Sequence, residues 1–280
     1  MVKTFKQLVE RDEDRVLIVD ALNLGFRWKH QGREEFKDDY VRTVESLATS
    51  YNCGTILITA DLGSSKYRKS IYPEYKLDRK ERYERQTQEE KDTFARFYEE
   101  MRETLNLMSE KYIVLQYEGV EADDIAAYLV QYILKGASHV WLISSDRDWD
   151  LLINHNVSRF SYVNRKETTN DTWKDTHNFE VEDYITVKCL TGDSGDNIPG
   201  IPGIGPKRAE SLVHEYGSAF DIYDACPIES KYKYIQTLNE MPDVLLRNYQ
   251  LMDLIAYCED AIGEDNIRDI EKKCQSIFKG

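Results

Sequence analysis

The chain has 280 residues, of which 41% are hydrophobic and 31% charged, and a formal net charge of −14. These totals are typical of a soluble globular protein of one large domain or two, and no apolar run approaches the roughly 18 residues that span a membrane. The N-terminal segment MVKTFKQLVERDEDR is polar and mixed in charge, unlike a signal peptide. Five scattered cysteines without a CxxC pair indicate reduced thiols in the cytoplasm, and neither they nor the five histidines suggest zinc.

Short apolar runs rich in β-branched residues predict four buried strands. In chain order they are VLIV at 16–19, TILIT at 55–59, YIVLQY at 112–117 and HVWLIS at 139–144. Between them, helical periodicity runs over 38–51, from a Thr87–Glu90 capping box to Met108, and over 124–135 with Gly136 as a C-cap.

Alternating strands and helices predict an α/β fold with a central, mostly parallel sheet flanked by helices. The strand signal weakens after Ser158, and helices and turns dominate after Val181. We therefore expect an α/β core at residues 1–180 and a helical region at residues 181–280.

Each predicted strand delivers acidic residues at its carboxyl end, the edge where open α/β sheets bind ligands. In chain order these residues are Asp20, Asp61, then Glu121, Asp123 and Asp124, then Asp146 and Asp148; Asp193 and Asp196 follow in TGDSGDN. A single acid is more often a helix cap or turn former. Acids after all four strands indicate one shared site.

Carboxylates at one edge repel one another unless a cation lies among them, and all-oxygen ligation favours Mg²⁺ or Mn²⁺. A calcium EF-hand starting at Asp146 is excluded, because its sixth and twelfth positions are Leu151 and Val157 instead of Gly and Glu. A carboxylate-held metal pair suits displacement at phosphorus. An aspartyl phosphatase is less favoured, because Asp20 is followed by Ala-Leu-Asn without a second Asp two residues on.

The segment that joins the second strand to the helix after Thr87, about 64–92, is long and locally basic. From 66 to 85 it reads KYRKSIYPEYKLDRKERYER, with eight basic and four acidic residues. Interleaved Lys, Arg and Tyr suit binding to single-stranded DNA. The alternative is a charged helix at the protein surface, and one segment can be both. We expect a mobile arch, disordered or loosely helical when free.

The stretch GDNIPGIPGIGPKRAESLVHEYG, at 195–217, combines glycines, a helix start at Pro206 and adjacent Lys207 and Arg208. Glycines allow a tight turn whose amides approach a phosphate, and a helix N-terminus supplies a matching dipole. Such contacts read the DNA backbone and not its sequence.

Together these motifs resemble the flap endonuclease or 5′-nuclease family, and phage 5′–3′ exonucleases most closely. The matching stretches are IVDALNLGFR, PEYKLDR, GVEADDIAAY, SSDRDWD and GDSGDNIPGIPGIGPKR, the last resembling a helix–three-turn–helix at about 190–217. The resemblance implies a structure-specific 5′ nuclease that acts near single- and double-strand junctions, with branched DNA, including RNA-primed DNA, as its partner.

The resemblance also implies roles for individual residues. The first metal would be held by Asp20, Asp61, Glu121, Asp123 and Asp124, with Asp146 near both ions, and the second by Asp148, Asp193 and Asp196. Lys76 would act electrostatically at the scissile phosphate with support from Arg79, and Tyr75 would stack on a base or, alternatively, pack within the arch. Further DNA contacts would come from Arg27, Gly203, Gly205, Lys207, Arg208 and Lys233. A K⁺ ion would bind carbonyls of Pro199, Ile201 and Ile204.

Two alternatives stay open at this point: a non-catalytic DNA-junction binder with a structural metal pocket, and a PIN-type ribonuclease. PIN-type chains are shorter and lack the helix–three-turn–helix. For the nuclease we expect a monomer in the bacterial cytoplasm, including that of an infected host cell, where replication proteins are possible partners.

Overall fold

A six-stranded sheet of order β3-β2-β1-β4-β5-β6 forms the centre of the structure, a computed structural model that describes residues 11–277. The strands are β1 (Asp12–Asp20), β2 (Cys53–Leu62), β3 (Ile113–Glu118), β4 (His139–Ile143), β5 (Val157–Ser161) and β6 (Lys166–Thr168). Strands β1 to β5 are parallel and β6 is antiparallel. The predicted mostly parallel sheet is confirmed. Most of the polar N-terminal segment, residues 1–10, lies outside the described residues.

All four predicted strands are present, but β5 and β6 were not predicted. Strand β5, VSRFS, carries Arg159 at its centre, and the buried guanidinium bonds Asp150 at 2.6 Å. A charged residue in the middle of a five-residue strand removes the apolar run on which the prediction depends.

Helices cover both faces of the sheet. In chain order the helices of this half are α1 (Ala21–His30), α2 (Lys37–Ser50), α3 (Lys66–Ile71), α4 (Leu77–Glu84), α5 (Gln88–Ser109) and α6 (Ala122–Tyr128). Along β1, Val16 and Ile18 face α6, whereas Leu17 and Val19 face α1, α2 and α5. Burying each such side chain contributes roughly 1.5–3 kcal/mol, so the two apolar faces of β1 fix its place at the centre.

The predicted helices are found with small changes at their ends. The capping box before α5 is confirmed, with the Glu90 amide donating to Thr87 Oγ1 at 3.2 Å and the Thr87 amide donating to the Glu90 carboxylate at 2.8 Å. The prediction for Gly136 was wrong: α6 continues into a π-helical turn, Leu129–Ile133, that is capped by Leu134, and Gly136 does not adopt a positive φ.

The second half of the chain is mainly helical. It contains α7 (Asn170–Trp173), α8 (Tyr184–Thr191), the short pair β7 (Gly192–Asp193) and β8 (Ile198–Pro199), then α9 (Pro206–Tyr216), α10 (Ala219–Ala225), α11 (Lys233–Glu240), α12 (Asp243–Met252), α13 (Leu254–Ile262) and α14 (Glu264–Cys274). Helices α8 to α12 share their own hydrophobic core. Helices α13 and α14 return to the α/β core through Leu254, Ile262 and Ile270. Among residues 11–277, no helix is long and apolar enough to cross a membrane.

Candidate metal centre and arch base

Four aspartates at the carboxyl edge of the sheet form no ion pair with the described residues, and we call them the unpaired aspartates: Asp20, Asp61, Asp123 and Asp146. Each bonds neutral groups only. Asp20 ends β1 and caps α1, accepting the Ser144 hydroxyl at 2.7 Å and the Asn23 amide at 3.1 Å. Asp61 accepts the Ala122 amide and Asp123 the Trp149 indole, both at 2.6 Å. Asp146 caps the 3-10 helix Arg147–Leu152 and accepts a backbone amide of that helix at 3.0 Å.

The unpaired aspartates lie close together at this edge: Asp20 is buried, Asp61 and Asp123 are half-buried, and Asp146 is exposed. Burial, and then the charges of Asp61 and Asp146, raise the pKa of Asp20 to about 8. Burial, followed by Asp146, Asp61 and Asp20, raises the pKa of Asp123 well above its usual value. A site that penalises its own negative charge in this way is suited to a cation.

In the described part of the chain, no three of these side chains already stand in a metal-holding arrangement. They are close enough to act on each other's pKa, but mutual repulsion opposes a tighter approach. The donor set nevertheless fits a hard divalent ion, because four carboxylates without a lysine or arginine partner provide oxygen ligands alone.

Glu121, which precedes α6, is held differently from the unpaired aspartates. Its carboxylate accepts Lys76 Nζ at 2.7 Å, the Tyr75 hydroxyl at 2.8 Å and an Arg68 guanidinium nitrogen at 3.2 Å. Burial alone would raise the pKa of Glu121, but Lys76 and Arg68 outweigh burial and lower it to about 2. Glu121 therefore stays ionised and anchors the base of the arch.

The base of the arch is fastened to the turn that carries Asp193 and Asp196. The Lys76 amide donates to the Asp196 carbonyl at 2.9 Å, and Lys76 has a φ of 56°, which is uncommon for a residue with a side chain. Arg79 bonds the Asp196 carboxylate at 2.5 Å and the Gly195 carbonyl at 3.2 Å. These contacts place Lys76 and Arg79 beside Glu121 and Asp196, and their roles at the scissile phosphate stay predictions.

Tyr75 is enclosed at this junction. Its side chain is 2% exposed, and its hydroxyl donates to Glu121 and lies 2.9 Å from Asp196 Oδ2. A base needs an exposed ring face for stacking, so the structure favours the packing alternative for Tyr75.

Asp148 and Asp193 come together around a lysine. Lys188 Nζ, on α8, lies 2.7 Å from Asp148 Oδ1 and 3.1 Å from Asp193 Oδ2. Asp193 also accepts the amides of Gly195 and Asp196, which shapes the turn. Unlike the unpaired aspartates, these two carboxylates already share a positive charge.

Asp124 is not one of the unpaired aspartates, because it is paired with Arg68, and its assignment to the first metal stays a prediction. Both of its oxygens accept Arg68 guanidinium nitrogens at 2.7 Å, and the two side chains are 1% and 5% exposed. Asp124 points from α6 toward α3, because Arg68 offers a bidentate partner there. Arg68 also donates to the Leu251 carbonyl at 2.8 Å, which ties α3 to the end of α12.

The glycine-rich turn between α8 and α9 has the predicted form. Pro206 begins α9, Gly217 ends it with a φ of 99°, and Gly203 has a φ of 86°. A Cβ on Gly200 would lie 2.2 Å from the carbonyl carbon of Thr191, whereas Gly205 has no atom within 4 Å of such a position. Close backbone packing thus requires glycine at 200, and Gly205 leaves the start of α9 open.

The remaining predicted DNA contacts are Arg27, Lys207, Arg208 and Lys233. The Arg208 guanidinium lies 4.4 Å from the ring of Tyr234, and Lys233 begins α11 next to it. Lys207, in the first turn of α9, is exposed. Arg27 packs on the Tyr162 ring at 4.4 Å.

The predicted K⁺ carbonyls are partly engaged. The Pro199 carbonyl accepts Asn248 Nδ2 at 2.9 Å and Arg247 at 3.3 Å, and the Ile201 carbonyl accepts the Ile204 amide at 3.0 Å. These bonds turn the Pro199 carbonyl toward α12.

Sequence reasoning missed three side chains that organise the site: Arg68, Lys188 and Trp149. Arg68 was counted among the basic residues of the arch. Lys188 carried a usable signal, because it is the one charged residue of the apolar helix YITVKCLT. A buried lysine needs an acidic partner.

Comparison with known proteins agrees with this geometry. Residues 15–180 match the 5′–3′ exonuclease N-terminal resolvase-like domain, and residues 179–273 match the 5′–3′ exonuclease C-terminal SAM fold. The chain is 42% identical to the flap endonuclease of Escherichia phage T5 over 287 residues, which covers 100% of this chain and 99% of that protein. It is 26% identical to the flap endonuclease Xni of Shewanella sp. (strain W3-18-1) over 246 residues, covering 86% and 89%.

A crystal structure of the bacteriophage T5 flap endonuclease, a pseudo-enzyme–product complex with DNA and metal ions, superposes with a TM-score of 0.91. It is 41% identical, and the match covers 95% of this chain and 100% of that one. The resemblance seen in the motifs is thereby confirmed, and the chain belongs to the 5′–3′ exonuclease family of phosphodiester hydrolases, which includes flap endonucleases.

Proposed function

We propose that this protein is a structure-specific 5′ nuclease, both flap endonuclease and 5′–3′ exonuclease, that hydrolyses DNA near single- and double-strand junctions. The observation that carries the proposal is the set of four unpaired aspartates, without an ion-pair partner among the described residues, beside the basic base of the arch. Negative charge that needs a cation and positive charge that attracts phosphate meet at one edge of the sheet. The T5 relative was crystallised with both DNA and metal ions, which supports the same ligands here.

The residues present fit two Mg²⁺ ions, with Mn²⁺ as a substitute. The unpaired aspartates would hold the first ion, with Glu121 beside it, and Asp148, Asp193 and Asp196 would hold the second. When bound, such ions activate a water for attack and neutralise charge on the attacking and leaving oxygens.

Lys76 and Arg79 would position and stabilise the scissile phosphate. Burial opposes the charge of Lys76, but Glu121 and Asp196 raise its pKa above the ordinary value, so its ammonium stays protonated. An ammonium held among carboxylates offsets their repulsion of an incoming phosphate. A fixed positive charge at that point also stabilises the charge that develops in the transition state.

The duplex would lie along the helical half of the chain. The open turn at Gly203 and Gly205, with Lys207 and Arg208 at the start of α9, suits one phosphate strand. Lys233 extends this surface, and Arg27 marks another phosphate contact. For K⁺, the Ile201 and Ile204 carbonyls are better candidates than Pro199, whose carbonyl bonds α12.

The arch segment, 64–92, would admit the unpaired 5′ strand. We place the activity in the cytoplasm of a bacterium or infected host cell, where removal of flaps or RNA primers during replication would supply the substrate, leaving 5′-phosphate and 3′-hydroxyl ends.

One gel tests the proposal: a labelled 5′-flap duplex beside a blunt duplex and a closed circle, with and without Mg²⁺. We expect Mg²⁺-dependent cleavage of the flap at its junction, no cutting of the circle, and loss of all cleavage in EDTA. Asp146→Asn should abolish cleavage and keep flap binding. If Asp146→Asn instead unfolds the protein while wild type cuts no DNA in Mg²⁺, the metal pocket is structural and the nuclease proposal is wrong.

A further inference from the structure

Lys188 is a buried ammonium between two carboxylates, Asp148 and Asp193. These two and the four unpaired aspartates are called the acidic cluster below. It lies on α8, a helix whose other buried residues are Thr186, Val187, Cys189 and Leu190. The lysine side chain is 8% exposed and reaches Asp148 Oδ1 at 2.7 Å and Asp193 Oδ2 at 3.1 Å. A lysine placed in such surroundings is stable only when opposite charge compensates its desolvation.

The pairing divides the acidic cluster into two unlike halves. The four unpaired aspartates form no ion pair with the described residues, whereas Asp148 and Asp193 share Lys188. The second oxygen of Asp193 accepts the amides of Gly195 and Asp196. Lys188 therefore contacts the Asp193 oxygen that the turn leaves available, the same atom that a second metal ion would need.

The lysine keeps its charge in this position. Burial would lower the pKa of Lys188, but Asp148 and Asp193 raise it well above the ordinary value. A permanent ammonium and a divalent ion cannot both stay within bonding distance of the same two oxygens, because like charges at such separations repel strongly.

We propose that Lys188 is a built-in competitor of the second divalent ion and makes that ion bind more weakly than the first. The second ion enters only as the ammonium moves off Asp148 and Asp193, while the first ion, held by the unpaired aspartates, binds without this competition. The inference rests on the proposed function only in that the acidic cluster binds divalent ions.

Direct Mn²⁺ binding to the intact, metal-free protein tests this without DNA or catalysis. Free Mn²⁺ is measured by electron paramagnetic resonance during a titration, for wild type, Lys188→Met, Lys188→Arg and Lys135→Met. Lys135 is the control because its loss changes the net charge by the same amount as the loss of Lys188. It is exposed and contacts Tyr132 beyond α6, at the opposite edge of the sheet.

We expect Lys188→Met to tighten the weak Mn²⁺ site at least tenfold and to leave the tight site within twofold of wild type. Lys188→Arg retains a cation and should keep the weak site weak, and Lys135→Met should change neither site by more than twofold. A weak site that is unchanged or weaker in Lys188→Met overturns the competitor role alone. Absence of any bound Mn²⁺ in wild type overturns the proposed function as well.

A second measurement avoids substitutions altogether, in case Lys188→Met does not fold. Reductive methylation followed by peptide mass spectrometry reports the accessibility of each lysine. Lys188 should be protected in EDTA and become reactive at saturating Mg²⁺, while Lys135 reacts equally in both. Equal protection of Lys188 in both conditions contradicts its displacement by the second ion.

Discussion

The buried pair of Arg68 and Asp124 gives the sharpest prediction about stability. Replacing Arg68 by methionine keeps an unbranched apolar stem but leaves Asp124, 1% exposed, without its two 2.7 Å bonds. It also leaves the Leu251 carbonyl without its donor. Removing one partner of a buried ion pair typically costs about 3–5 kcal/mol, a large part of the 5–15 kcal/mol that stabilises a typical domain.

Urea denaturation of the metal-free protein at pH 7 measures this loss. The double variant Arg68→Met/Asp124→Leu replaces the pair by apolar side chains and should regain most of the loss, so we expect a coupling energy of at least about 2 kcal/mol. The Mn²⁺ affinity of the first site should stay measurable in the double variant. The reasoning is refuted if Arg68→Met costs under about 1 kcal/mol while Asp124→Asn alone abolishes Mn²⁺ binding, since Asp124 would then be a metal ligand.

Three further predictions concern charge, backbone packing and the arch. Burial, and then the charge of Asp61, raise the pKa of Asp20 from 3.8 to about 8, so the folded protein binds this proton more tightly than the unfolded chain does. The free energy of unfolding in EDTA should therefore fall as the pH rises from about 4 to about 8. Saturating Mg²⁺ should remove the fall. An unfolding free energy that does not decline over this range in EDTA would contradict the burial of Asp20. Gly200→Ala places a Cβ 2.2 Å from a backbone carbon and should lower the free energy of unfolding in urea by about 1–3 kcal/mol. The control Gly205→Ala, with open space around its Cβ, should lower it clearly less. Equal losses of stability would argue against the packing of the turn. Limited proteolysis should cut between residues 64 and 86, and flap DNA should suppress that cutting; equal cutting with and without DNA would count against a threaded arch.

The sheet and the position of the acids could be predicted because both depend on local pattern. Continuous β-branched runs at 16–19 and 55–59 are typical of parallel strands buried on both faces, and an acid that follows such a strand lies at the carboxyl edge whatever the rest of the chain does. Strand β5 escaped prediction because Arg159 is compensated by Asp150, nine residues earlier in sequence, through a tertiary contact.

Which acids form ion pairs and which stay unpaired could not be predicted, because it depends on which lysine and arginine side chains lie next to them in the fold. Arg68 meets Asp124 across 56 residues, and Lys188 meets Asp148 across 40. Nothing local in ADDIAAY distinguishes Asp123, which contacts an indole, from Asp124, which contacts a guanidinium. Tyr75 likewise has an aromatic ring that could stack on a base, and only its burial against Glu121 favours the packing alternative.

The central claim is that the four unpaired aspartates, drawn from β1, β2, α6 and the segment after β4, close around a divalent cation. Anomalous diffraction from a crystal soaked in Mn²⁺ tests it most directly. The account predicts a strong anomalous peak bounded by oxygens of Asp20, Asp61, Asp123 and Asp146, and a weaker peak near Asp148 and Asp193. Ordered carboxylates with no anomalous density among the four would contradict it.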